Sequence, residues 1–242
     1  MPEFLSVLVL AALPAFGNLF GGLLAEIIHI TERNLSLALH FAAGVIFAVV
    51  GVELMPEILT AEPVWVVVLA FVAGGGVMVV LDGLVHLVRN RIIGSGDTGP
   101  WMIFVGVAID LFTDGVLIGT SSTISLGLGF LLALGQVIAD VPEGLATIAT
   151  FKRREVPRKQ RLLLATSFTI PVFLGATLGY WVMRDQPLLL RLSVLALTAG
   201  MLTTVVTEEI MPEAHVDGEA RLAALVLVSG FGLFTLLAQY LG

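Results

Sequence analysis

Eight long apolar runs, separated by short polar segments, are the main pattern in this chain of 242 residues. Each run is close to the ~20 residues that an α-helix needs to cross the hydrocarbon core of a bilayer. We therefore predict an all-α polytopic membrane protein with a single transmembrane domain over residues 1–242. The predicted helices cover roughly residues 4–28, 36–58, 64–88, 101–121, 125–149, 162–183, 188–213 and 221–241.

The composition supports a membrane location and excludes several classes of protein. Hydrophobic residues make up 57% of the chain and charged residues 13%, whereas a soluble domain has about 25% charged residues. The net charge of -7 argues against nucleic acid as a partner, and the lipid bilayer is the partner that we expect. The chain has no cysteine and therefore no thiolate metal site. The sequence does not decide between a monomer and a homodimer.

The basic residues predict the orientation of the helices. Lysine and arginine are enriched in cytoplasmic loops, and the connections 1–2, 3–4, 5–6 and 7–8 hold all of the 12 basic residues except Arg184 and Arg191. With eight helices, this pattern places both termini outside. The ten residues on the predicted inner side are Arg33, Arg89, Arg91, Lys152, Arg153, Arg154, Arg158, Lys159, Arg161 and Arg221.

An internal repeat links the first and last thirds of the chain. A shift of 156 residues superposes Glu53-Leu54-Met55-Pro56-Glu57 on Glu209-Ile210-Met211-Pro212-Glu213. Helices 2 and 7 would cross the membrane in opposite senses, as in the inverted repeats of secondary transporters. We predict a 3+2+3 arrangement in which helices 1–3 and 6–8 flank helices 4 and 5. It places Glu53 and Glu57 near the outer surface and Glu208, Glu209 and Glu213 near the inner one.

Acidic residues inside helices 4 and 5 mark the candidate site. Asp110 and Asp114 share one face of helix 4, and Asp140 and Glu143 share one face of helix 5. A carboxylate at mid-membrane costs roughly 2.5–3.5 kcal/mol on insertion scales, and neither predicted helix contains a lysine or arginine. A divalent cation bound by oxygen ligands is the simplest partner. Pro142 frees one further backbone carbonyl in the same region.

The histidines offer a second set of candidate ligands. All four, His29, His40, His86 and His215, fall at the predicted cytoplasmic ends of helices. Each one alone is more often an interfacial polar residue than a ligand. Together with Glu208 and Glu209, His215 and His86 are candidate exit ligands, and Glu53 is a candidate entrance ligand.

The chain resembles the ZIP (Zrt/Irt-like) family of divalent metal transporters over nearly its whole length. The resemblance rests on eight helices, on the repeated endings of helices 2 and 7, and on Ala139-Asp140-Val141-Pro142-Glu143-Gly144 in helix 5. In that family the helix 4 and helix 5 motifs build a mid-membrane metal site, and transport is into the cytoplasm. The resemblance implies a multi-pass protein of the plasma membrane that moves helices 1, 4, 5 and 6 against helices 2, 3, 7 and 8.

The motif of helix 4, Asp110-Leu111-Phe112-Thr113-Asp114-Gly115, departs from the family pattern. Asp110 stands where relatives carry histidine, and Leu111 where they carry asparagine. Ile170 stands where some relatives carry a second-site glutamate. These differences predict one metal site of Asp110, Asp114 and Glu143, with Asp140 adjacent. Aspartate in place of histidine hardens the site, so Zn²⁺, Fe²⁺ and Mn²⁺ all stay candidates, and no other cofactor is expected.

Two other functions stay open. The acids could form the proton relay of a transporter for another cation or a small substrate. Paired intramembrane aspartates also serve intramembrane aspartyl proteases, but the Tyr-Asp and Gly-x-Gly-Asp patterns of that class do not occur around Asp110, Asp114 or Asp140. We therefore expect no enzymatic activity.

Overall fold

A computed structural model of the chain describes residues 2–28, 30–92, 100–214 and 220–241. Within these ranges there is no β-strand, and eight helices are long and apolar enough to cross a membrane. The predicted all-α polytopic fold is thus confirmed. The helices are α1 Pro2–Ile27, α2 Glu32–Ile58, α3 Val64–Ile92, α4 Pro100–Ser122, α5 Leu126–Arg153, α6 Arg158–Met183, α7 Leu188–Ala214 and α8 Ala220–Leu241.

The observed helix ends lie within about four residues of the predicted ones, and at the start of α2 local capping explains the difference. Helix α2 begins at Glu32 because the Thr31 side chain accepts a hydrogen bond from the Asn34 amide at 3.2 Å. Most of the basic segment predicted as a loop between helices 5 and 6 is helical instead. Lys152 and Arg153 form the last turn of α5, where cations interact favourably with the helix dipole.

The helices pack in four close pairs: α1 with α5, α4 with α6, α2 with α8, and α3 with α7. Small residues make the close approach possible. A Cβ atom on Gly44 of α2 would lie 1.9 Å from the Leu227 carbonyl oxygen of α8, and a Cβ on Gly200 of α7 would lie 2.0 Å from the Phe71 carbonyl oxygen of α3. Such backbone contact is the usual means of helix association in membranes, where apolar burial between helices gains little.

Helix α2 is the most central helix, with 67% of its membrane-spanning window buried, whereas α3 and α8 are peripheral with 17% and 22%. The exposed side of α3 is apolar, including Trp65 and Val72, each 64% exposed. An apolar outer surface with all backbone groups bonded inside helices is what a bilayer requires.

The two segments matched by the 156-residue shift adopt the same local structure. A π-helical stretch, Val49–Leu54 in α2 and Val206–Ile210 in α7, precedes a short α-helical ending, Met55–Ile58 and Met211–Ala214. π-helical segments are rare and occur frequently at functional sites. Each of them carries one of the repeated glutamates, Glu53 or Glu209.

Candidate metal centre

Helices α4 and α5 carry the four acids singled out in the sequence. The exposed fraction is 5% for Asp110, 0% for Asp114 and 2% for Asp140, and Glu143 is partly buried. A short turn at 123–125 joins the two helices, which pack against each other. One turn of helix separates the acids on each helix, so both pairs face the same region.

Glycines directly after two of these acids bring neighbouring helices close to the site. A Cβ on Gly115 would lie 2.1 Å from the Val172 carbonyl oxygen of α6, and a Cβ on Gly144 would lie 2.0 Å from the Asn18 carbonyl oxygen of α1. Helix α6 therefore packs closely against α4, and helix α1 packs closely against α5. This packing keeps the acids away from lipid and explains why glycine follows Asp114 and Glu143.

The four carboxyl groups lie close enough to interact electrostatically. The charge of Asp110 acts on Asp114, Asp140 and Glu143. Among the described residues, no lysine or arginine forms an ion pair with any of the four. Buried like charges without a compensating cation are costly, so the electrostatics of this cluster favour binding of a cation.

The hydrogen bonding of the cluster is incomplete. Within the described part of the chain, Asp114 has one hydrogen-bond partner, Gln136 of α5, whose Nε2 donates to Asp114 Oδ1. Buried oxygen atoms usually have a partner, and a group without one is often part of a functional site. The cluster oxygens with no partner among the described residues are Asp110 Oδ1, Asp114 Oδ2, Asp140 Oδ2 and Gln136 Oε1.

The carboxylates are neighbours but do not form a finished coordination shell. Across the described part of the chain, no three histidine, aspartate or glutamate side chains are arranged so that they could hold one metal ion. Joint coordination by Asp110, Asp114 and Glu143 would require rotation of their side chains.

A cavity of about 440 Å³ extends from the cluster between α2, α3, α4, α5 and α7. Glu143 lines it, and so do Glu208 and Glu209 of the α7 π-helical stretch. Glu209 lies close enough to interact electrostatically with Asp110 and with Glu143. The structure thus brings Glu208 and Glu209 into the cavity that begins at the acidic cluster.

The other candidate ligands are less informative. Glu53 of α2 is partly buried and is not among the residues that line this cavity. The His86 side chain, His215 and His29 lie outside the described residues. His40 is buried, and its Nδ1 lies 2.8 Å from the Ser36 carbonyl oxygen of the same helix.

Sequence reasoning missed Gln136 and did not connect Arg154 with the cavity, whereas Glu213, which it placed near the inner surface, also lines the cavity. A signal for Gln136 was available, because it precedes Asp140 by four residues and therefore shares its helical face. Arg154 was assigned only to a cytoplasmic basic loop. Its position on the cavity wall depends on tertiary packing, which helical periodicity does not give.

Comparisons with known proteins identify the family of this chain. The sequence profile described as ZIP Zinc transporter matches residues 90–238, more than half of the chain. The protein belongs to the ZIP family. Its membership confirms the predicted family and agrees with a multi-pass metal transporter.

Three curated proteins of this family are similar to the chain. The "Zinc transporter ZupT" of Chlorobium phaeovibrioides is 28% identical over 98% of both chains. The "Zinc transporter ZIPB" of Bordetella bronchiseptica is 29% identical over 61% of this chain and 50% of its own length. The "Zinc transporter foi" of Drosophila melanogaster is 25% identical over 59% of this chain and 20% of its own length. ZIP proteins are a transporter family, in line with the expected absence of enzymatic activity.

Proposed function

We propose that this ZIP protein carries divalent transition-metal cations, with Zn²⁺, Fe²⁺ and Mn²⁺ as candidate substrates, into the cytoplasm. The substrate ion binds Asp110, Asp114 and Glu143, with Asp140 adjacent. The observation that carries the proposal is a cluster of four acids on two neighbouring helices, without a basic partner among the described residues and with three unpartnered oxygen atoms. A divalent cation is the ligand that such oxygen donors would attract.

The choice of ion follows from the donor set. All four acidic groups supply hard oxygen donors, and the helix 4 motif has Asp110 where relatives carry histidine. Carboxylate ligands suit Mn²⁺ and Fe²⁺ better than histidine ligands do. Zn²⁺ also accepts carboxylates. The names of the relatives support Zn²⁺ among the substrates.

Transport by alternating access is the proposed mechanism. Helices α1 with α5 and α4 with α6 form one set of close pairs, and α2 with α8 and α3 with α7 form the other. This pairing supports movement of one set against the other, with α4 and α5 carrying the ion. The moving set is α1, α4, α5 and α6, and the other set is α2, α3, α7 and α8. The repeated endings of α2 and α7 support an inverted repeat whose halves exchange conformations.

The basic residues support an orientation with both termini outside. Membership of the ZIP family supports a location in the plasma membrane. In this orientation the cavity lined by Glu143, Glu208 and Glu209 opens toward the cytoplasm. Glu209 then accepts the ion after it leaves the central cluster, and Glu213 offers a further carboxylate on the same cavity wall. Successive weak ligands lower the barrier for release of a tightly held ion.

Uptake by reconstituted protein tests this function. Liposomes that contain the protein and a chelating dye are expected to accumulate Zn²⁺, Fe²⁺ or Mn²⁺ in a saturable way, with each ion inhibiting the others. Empty liposomes are the control, and a rise in metal content of expressing cells checks the direction. Proton flux that is independent of any metal would instead support the open alternative, a proton-coupled transporter of another substrate.

The number of bound ions is a separate expectation. Because Leu111 and Ile170 replace candidate second-site ligands, one ion is expected in the cluster. Anomalous scattering from metal-soaked crystals measures this directly. Two peaks about 3.5–4 Å apart, the spacing of two-metal centres, would contradict a single site.

A further inference from the structure

Gln136 is a buried polar residue that is not among the ligands proposed above. It lies on α5 and is 1% exposed. Its Nε2 donates a hydrogen bond to Asp114 Oδ1 across the interface between α5 and α4. Because Asp140 follows four residues later on the same helix, Gln136 occupies the same face of α5, one turn toward the α4–α5 connection.

Both groups joined by this hydrogen bond keep one free acceptor. Gln136 Oε1 and Asp114 Oδ2 are buried, and neither has a hydrogen-bond partner among the described residues. An amide that served packing alone would be expected to pair its carbonyl oxygen with a donor, since a buried acceptor without one destabilises the fold. Two neighbouring acceptors without donors are what a cation site requires.

We propose that Gln136 is a ligand and a specificity-determining residue of the cation site. Its Nε2 holds Asp114 in one orientation, and its Oε1 supplies a neutral oxygen to the ion. Amide carbonyl oxygens are ligands of hard cations, and a neutral ligand adds no further negative charge to the acidic cluster. The inference rests on the proposed function, because it presumes that a divalent cation binds at Asp114.

Two apolar replacements separate a ligand from a residue that only positions Asp114. Gln136→Met and Gln136→Leu both remove the hydrogen bond to Asp114, and both can fill the space of the glutamine side chain. Only methionine retains a donor atom, a soft thioether sulfur. A positioning role therefore predicts equal effects of the two changes, whereas a ligand role predicts that they differ for a soft ion.

The measurement is equilibrium binding of Mn²⁺ and of Cd²⁺ to the full chain in detergent, by calorimetry. Both variants are expected to bind Mn²⁺ about 10–100-fold more weakly than the wild type, the range found when supporting groups of a metal site are removed. Gln136→Met is expected to hold Cd²⁺ at least about tenfold more tightly than Gln136→Leu does. Thr198→Val is the matched control, because Thr198 is 2% exposed and its hydroxyl bonds only to carbonyls of its own helix.

Several outcomes overturn the inference. Wild-type Mn²⁺ affinity in Gln136→Leu would remove Gln136 from the site, and equal Cd²⁺ affinities in the two variants would leave it a positioning residue at most. If Gln136→Leu does not fold, the nearly isosteric Gln136→Met is compared with the wild type instead. A Cd²⁺-to-Mn²⁺ affinity ratio no higher than that of the wild type would then overturn the ligand role. A wild-type protein that binds neither ion would contradict the proposed function itself, whereas loss of binding in Asp114→Ala with unchanged Gln136 variants would contradict this inference alone.

Discussion

The endings of α2 and α7 have the same sequence pattern and the same backbone but different surroundings. Both pass through a π-helical stretch into a short helix that contains Met-Pro-Glu. Glu209 of α7 lines the cavity that contains Glu143, whereas Glu53 of α2 is not part of that cavity. Since the local structures match, the difference comes from the packing of neighbouring helices. The same local pattern therefore lines this cavity at the end of α7 and does not line it at the end of α2.

The largest expected effect is at the acidic cluster, which would lie between the two ends of the proposed path. Asp114→Ala and Glu143→Ala each remove a carboxylate from the cluster, and we expect metal uptake into liposomes to fall at least about 100-fold. The physical reason is that each change removes one ligand of the cation, and this cation stabilises the remaining like charges of the cluster.

Thr198→Val is the control for these two changes, because it alters a buried hydroxyl outside the cluster. Size-exclusion profiles should show that all the variants remain folded. Normal uptake by either acidic variant would remove that residue from the proposed site and end the comparison between the two path ends.

The second prediction concerns packing at positions that the repeat makes equivalent. Gly44 and Gly200 are related by the 156-residue shift, and a Cβ at either would lie within 2.0 Å of a carbonyl oxygen of the partner helix. We expect Gly44→Ala and Gly200→Ala to destabilise the protein by similar amounts, about 1–3 kcal/mol or more, because the helices must separate.

Thermal unfolding in detergent measures these changes, and Gly232→Ala is the control because open space surrounds that position. The control is expected to be neutral or slightly stabilising. Strongly unequal losses for Gly44→Ala and Gly200→Ala would show that the two repeats do not pack alike.

These glycines illustrate what the sequence could predict and what it could not. The apolar runs and the shift of 156 residues were sufficient for eight helices and for the equivalence of Gly44 with Gly200, because both depend on local pattern. Helix ends differed by up to about four residues, since caps such as Thr31 act locally and weakly.

The candidate site was predictable only in part. Asp110, Asp114, Asp140 and Glu143 stand out because carboxylates are costly within apolar helices. Gln136 does not stand out, since a single amide in a membrane helix is commonly a simple interhelical contact. Its pairing with Asp114 depends on the rotation of α5 against α4, and only tertiary packing determines that rotation.

The third prediction compares the two repeated glutamates directly. Glu209→Gln is expected to slow turnover at saturating metal on the order of tenfold, while equilibrium affinity at the cluster stays within about threefold. The reason is that Glu209 lines the cavity next to Glu143 and would receive the ion as it leaves.

Glu53→Gln is the matched control, since it makes the same chemical change in the same local structure. It is expected to raise the metal concentration needed for half-maximal uptake and to leave the maximal rate nearly unchanged. If Glu209→Gln loses affinity while its maximal rate persists, Glu209 belongs to the binding site and its release role is wrong.

The smallest expected effect concerns the end of the path opposite to the cavity. Arg191 lies near the start of α7, and its Nη1 donates a 2.7 Å hydrogen bond to the Thr123 carbonyl oxygen in the turn after α4. This contact joins the two sets of helices that we propose to move. We expect Arg191→Gln to weaken the closed outer end and raise access to it about two- to fivefold, since one hydrogen bond from a charged donor is lost.

The natural absence of cysteine makes this change in access measurable. Ser122→Cys places a single thiol at the buried end of α4, where the native residue is 8% exposed. Its reaction with a membrane-impermeant maleimide should be faster in the Arg191→Gln background. Arg184→Gln is the control, because Arg184 pairs with the exposed Asp185 beside it and does not join the two sets. Equal labelling rates in all three backgrounds would show that Arg191 does not hold the outer end closed, and the different surroundings of Glu53 and Glu209 would then need another cause.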